Sequence, residues 1–134
     1  MEKSRFEQAL KKVVEMLRRL GAAEIWLFGS AAQSPDSAMD IDILAIFHGN
    51  EPYKAVMERV YSNFDLTIPV GCDIIAHSRA SWQKVKNLPF WQHALKHAKR
   101  LFPHPHQPSD ADSRHSESEF VREVEGDADE PADG

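Results

Sequence analysis

Residues 27–47 read LFGSAAQSPDSAMDIDILAIF, and this stretch decides the fold. It opens on the end of a short run, Glu24 to Phe28, that is apolar and rich in β-formers and stops at Gly29-Ser30. That composition predicts a buried strand. Residues 31–38 are small and polar with one proline, which predicts a loop or one or two helical turns. Met39 to Phe47 predicts a second strand. Its second half, Ile43 to Phe47, is apolar on both faces, as in a sheet covered on both sides.

Outward from this pair, residues 4–20 have the helical period. Phe6, Leu10, Val13, Leu17 and Leu20 recur at steps of three and four. Ser4 is a candidate cap and Gly21 a candidate stop. After the turn at Gly49-Asn50, Pro52 fits the first turn of a helix to about Phe64. Its inner stripe would be Tyr53, Val56, Met57, Val60, Tyr61 and Phe64. Residues 66–68 suggest a short strand and Val70 to Ala76 a further one. Ser78 or Ser81 could cap a helix carrying Trp82 and Val85. Pro89 opens a last helix, with Phe90, Trp91, Ala94, Leu95, Ala98 and Leu101 inward. The order α β (α) β α β α α predicts a small α/β (α+β) domain.

The chain has 134 residues, enough for one domain. Charge divides it. Residues 1–103 hold 14 Lys and Arg against 11 Asp and Glu, a net +3, and residues 104–134 hold 2 against 10, a net −8. The second segment has few large apolar residues and cannot bury enough surface to offset its ordering entropy. It reads as an acidic, disordered tail on a domain spanning 1–103. A single cysteine, Cys72, excludes an internal disulfide framework, and it reads as a small core residue. The first residues carry no hydrophobic signal core, and no apolar run approaches the roughly 20 residues of a membrane span. The expected location is the cytoplasm, with neither membrane nor direct nucleic-acid binding.

The chemistry centres on Asp40-Ile41-Asp42. Strand side chains alternate, so the two carboxylates share one face. They repel one another, and no Lys or Arg lies nearby in sequence. A divalent cation is the natural partner, and oxygen-only ligation suits Mg²⁺ or Mn²⁺. Asp73, in a second apolar strand, joins the pair if that strand lies alongside. Three carboxylates from two strands can hold two cations about 3.5–4 Å apart, the arrangement for in-line displacement at phosphorus. Gly29 lets backbone approach a phosphate closely, Ser30 adds a hydroxyl, and the N–H groups of a following turn favour anions. Together these features describe a nucleoside triphosphate site.

Gly-Ser, a loop, Asp-x-Asp and the later Cys72-Asp73-Ile74-Ile75 resemble the signature of the polymerase-β-like nucleotidyltransferase superfamily. The small size resembles its minimal nucleotidyltransferases, the MNT proteins, over roughly residues 4–102. The resemblance implies a small mixed sheet flanked by helices. It implies that Gly29 and Ser30 hold the triphosphate, that Asp40 and Asp42 bind metal, and that Asp73 completes the site and acts as base. Many members carry an Arg and a second Gly after the Gly-Ser, and a Ser before the Asp-x-Asp. Here those places read Gln33, Ser34, Ala38 and Met39.

By the same resemblance the reaction is transfer of AMP from ATP, with Mg²⁺ or Mn²⁺, to a hydroxyl. The acceptor would be a Tyr of a HEPN-domain toxin partner, with this chain the antitoxin of a type VII toxin–antitoxin pair. Two alternatives stand beside it. One is an antitoxin that neutralises the toxin by contact alone. The other is a small-molecule transferase of the antibiotic-modifying kind.

Other residues read as structural. His93 and His97 stand four apart, without the Glu or third ligand of a known metalloprotease pattern, and suggest a surface helix. His77, His104 and His106 carry no assigned role. Lys84, Lys86, Lys96, Lys99 and Arg100 read as a solvated helix face, or as a contact for phosphates or an acidic partner. Trp82, Phe90 and Trp91 read as core or partner interface.

Overall fold

A computed structural model describes residues 2–104. The acidic tail lies, but for His104, outside the described residues. Nine elements follow one another: α1 (Lys3–Arg19), β1 (Ala22–Phe28), α2 (Ser30–Gln33), β2 (Asp40–Phe47), α3 (Tyr53–Ser62), β3 (Gly71–Ser78), α4 (Arg79–Val85), α5 (Pro89–Ala94) and β4 (Lys99–Phe102). The strands form one mixed sheet in the order β3-β2-β1-β4. β1 runs antiparallel to β2 and β4, while β2 and β3 are parallel.

The sheet is covered on both faces. On the first, α1 contributes Phe6, Ala9, Val13, Met16 and Leu17, and α3 contributes Val56 and Val60. They pack on Ile25 and Leu27 of β1, on Ile41, Ile43, Ala45 and Phe47 of β2, and on Ile74 and Ala76 of β3. Steps of three and four on the helices and of two on the strands thus meet in one core. On the second face, Trp82 of α4, Trp91 of α5 and Leu95 pack on Trp26, Phe28, Leu44 and Ile46. The aromatic rings meet edge to face, Trp82 to Trp91 at 5.1 Å and Phe28 to Trp91 at 5.3 Å between centroids.

Several local expectations change. The first helix begins without the Ser4 cap: Glu2 is the N-cap residue and no side chain bonds there. Gly21, at φ +103°, does stop that helix, its N–H bonding to the Arg18 carbonyl at 3.0 Å. Ser78 rather than Ser81 caps α4, its Oγ accepting from Ser81 N–H. Residues 66–68 form a turn instead of a strand. Asp65 Oδ1 takes both the N–H and the hydroxyl of Thr67, so the segment bonds to itself rather than to a neighbour. Leu101 belongs to β4, not to a helix, and Phe90 is exposed. Tyr53 and Tyr61 lie at the rim of α3, while Val56 and Val60 are fully buried. The basic stretch does not share one helix face: Lys84 is on α4, Lys86 is buried, and Lys99 and Arg100 are on β4.

Candidate active site

Asp42 is the centre of the open end of the sheet. In the strand register it lies between Phe28 of β1 and Asp73 of β3. Asp40, two residues earlier, pairs with Gly71. Alternation along β2 puts Asp40 and Asp42 on the face of Leu44 and Ile46, and along β3 it puts Asp73 on the face of Ile75. The aromatic cover from α4 and α5 packs on that same face, at Phe28, Leu44 and Ile46. The three carboxylates continue the face beyond it, with Asp40 and Asp73 exposed and Asp42 half-buried.

Gly29 is the residue that closes the site from the β1 side. Its φ of +75° with ψ of −159° is a conformation for glycine. A Cβ there would fall on Asp42 Oδ2, nearer than the 3.0 Å that real Cβ atoms respect. The carboxylate therefore occupies the space that a side chain at Gly29 would need. Ser30 follows, exposed, at the start of the short α2. A matching contact exists at Gly71, where a Cβ would fall on Asp40 Oδ1. Two of the carboxylates thus lie against two glycines. Gly71 was not among the sequence-predicted site residues, although a Gly just before Cys72-Asp73 was its signal.

The electrostatics agree with the crowding. Burial first, then the charges of Asp73 and Asp40, push the Asp42 carboxyl above its usual range. Cys72 points to the opposite, core-facing side of β3. Burial foremost, and then the three carboxylates, push its thiol up to about 12, so it is inert as a nucleophile. The ion pairs Arg59–Glu51 and Arg79–Glu24 both leave the three Asp residues untouched.

Asp40, Asp42 and Asp73 thus lie on one face of β2 and β3, at the end of the sheet where Gly29 and Ser30 follow β1. Among the described residues no three His, Cys, Asp or Glu side chains are grouped so as to hold a metal ion between them. The donor set still fits a hard cation. Mg²⁺ is commonly held by one or two carboxylates, with waters and substrate phosphates completing its shell, and Asp40 and Asp42 would supply such a pair. His77 is away from any such role. It is buried between the rings of Tyr53 and Trp82, its Nδ1 is 2.7 Å from Ser81 Oγ, and burial lowers its pKa. His93 and His97 are exposed, and α5 ends at Ala94, between them.

No protein-family model and no curated protein matches the chain. Two solved structures do. A proposed nucleotidyltransferase from Sulfolobus solfataricus shares 22% identity over 73% of this chain and 82% of that one, at a TM-score of 0.50. A chain from a mutant of the toxin–antitoxin MntA–HpeT shares 20% identity over 85% of this chain and 80% of that one, also at 0.50. The chain has a nucleotidyltransferase fold. The likeness is one of architecture. No helix of the described residues is long and apolar enough to cross a membrane.

Proposed function

We propose that this protein is a metal-dependent nucleotidyltransferase whose acceptor is a hydroxyl on a partner protein. The observation that carries this is Asp42 wedged between Asp73 and the Cβ-free backbone of Gly29. Like charges are crowded where backbone can approach a phosphate, and bound cations would relieve the repulsion. Asp40, Asp42 and Asp73 would hold Mg²⁺ or Mn²⁺, which supplies charge neutralisation for the triphosphate and the pyrophosphate that leaves. Gly29 and Ser30 would cradle the phosphates. Asp73, exposed at the rim, would take the proton of the incoming hydroxyl as its oxygen attacks the α-phosphorus.

The donor we infer is ATP, with AMP transferred. The toxin–antitoxin likeness supports a toxin as acceptor, and the resemblance in the sequence supports a HEPN-domain toxin modified on a Tyr. Incubating the protein with Mg²⁺, α-labelled ATP and the product of its neighbouring gene tests this. Label on the partner, lost in an Asp40→Asn/Asp42→Asn variant, is expected. Absence of label with all four nucleotides would sink the transferase reading, and continued protection by the double variant would make binding alone the function.

A further inference from the structure

β3 carries the third carboxylate, yet among the described residues it is an edge strand, with β2 as its one strand neighbour. Edge strands have one unpaired row of backbone groups and open more readily than central ones. A metal or proton acceptor on such a strand needs another restraint, because catalytic groups have to be held within about 0.5 Å. The outer row of β3 is met by side chains of α3. Tyr61 Oη accepts from the Ile74 N–H at 2.8 Å and donates to the Ile74 carbonyl at 3.2 Å. One turn earlier, Met57 Sδ accepts from the Ala76 N–H at 3.2 Å. Ile74 and Ala76 are two apart and so use the same edge.

The stronger of these two clamps falls on the residue after Asp73. The Tyr61 ring is itself fixed, stacked on Phe64 at 5.7 Å with an interplanar angle of 2°. Phe64 in turn packs against the core. The next turn of chain is tied down as well, since Met16 Sδ accepts from the Asp65 N–H and Lys12 Nζ donates to Thr67 Oγ1. A path of contacts runs from the core through Phe64 and Tyr61 to the peptide that follows Asp73.

We propose that Tyr61 is a positioning residue for Asp73, its hydroxyl replacing the neighbouring strand that β3 lacks. This rests on the transferase reading for its consequence in catalysis, but not for its structural content. Tyr61 does not touch the reacting atoms. It fixes the peptide from which Asp73 projects, and so the spacing between Asp73 and Asp42.

Two variants test this. Tyr61→Phe removes only the hydroxyl. Asn63→Ala removes a bond from Asn63 Nδ2 to the Arg59 carbonyl at the end of the same helix, and serves as a control that loosens α3 without touching β3. Hydrogen exchange on the protein alone is expected to quicken at the amides of residues 72–74 roughly tenfold in Tyr61→Phe, the size of a lost hydrogen bond or two. It should not quicken there in Asn63→Ala. With Mn²⁺ and ATP, Tyr61→Phe should lower kcat roughly tenfold with KM for the nucleotide nearly unchanged. Exchange at 72–74 no faster in Tyr61→Phe than in Asn63→Ala would overturn the proposal. So would a kcat equal to that of the wild type. Faster exchange together with a wild type that transfers nothing would uphold the hold on Asp73 and overturn the transferase reading instead.

Discussion

The two ends of β2 are built to opposite rules. From Ile43 to Phe47 every side chain is buried, and alternate residues feed the two apolar clusters. At the other end Asp40 is exposed, Asp42 is half-buried, and beside them lie another carboxylate, two glycines and the end of β1 at Phe28. One end contributes stability by excluding water. The other concentrates like charge and gives up stability to do so. Changes at the two ends should therefore act in opposite directions, and that expectation can be broken.

The largest effect on stability belongs to the covered end. Trp82 is fully buried against Trp91. Trp82→Ala should cost about 3–5 kcal/mol, read as a lower denaturant midpoint. A loss under 1 kcal/mol would mean that α4 is not part of the core.

At the open end Asp42→Asn should do the reverse. Activity should fall on the order of 100-fold or more, because a metal ligand and its charge are lost. Stability of the metal-free protein should rise. The sign follows from the carboxyl being held above its ordinary 3.8 in the fold, chiefly by burial and then by Asp73 and Asp40. Such a group opposes folding at pH values above its raised pKa, and the opposition fades as pH falls through that value towards 3.8. The gap in melting temperature between variant and wild type should then be widest at neutral pH and close in acid. A variant less stable than the wild type at pH 7 would break the contrast.

A smaller and mixed effect is expected at Gly29, where both rules meet. Gly29→Ala places a Cβ on Asp42 Oδ2 and forces a glycine conformation on alanine. The cost should be about 1–3 kcal/mol, with a loss of transfer activity because Asp42 is displaced. An unchanged activity would show that the Gly29 contact does not position Asp42.

The open end was the more legible of the two in the sequence. Its chemistry is local: Gly29-Ser30 ends one strand, Asp40 and Asp42 begin the next, and alternation alone puts the two carboxylates on one face. Asp73 needed one assumption, that its strand lies beside β2, and the register Asp42 to Asp73 meets it. What stayed hidden depended on distant pairing. Leu95, Ala98 and Leu101 have helical spacing, but Lys99–Phe102 pairs with β1, a partner some 70 positions earlier. Leu66 to Ile68 has strand composition, but the Asp65 side chain captures Thr67 first. Tyr61 looked like one more apolar residue on the α3 stripe, since nothing local reveals that its hydroxyl meets Ile74.

The central claim is that the carboxylate end of the sheet holds cations and a nucleoside triphosphate. Its most direct test is the melting temperature of the wild type and of Asp40→Asn/Asp42→Asn, each with and without Mn²⁺ plus a non-hydrolysable ATP analogue. A rise with both ligands in the wild type, absent in the double variant, is the predicted result. An equal rise in both proteins, or none in the wild type, would contradict it.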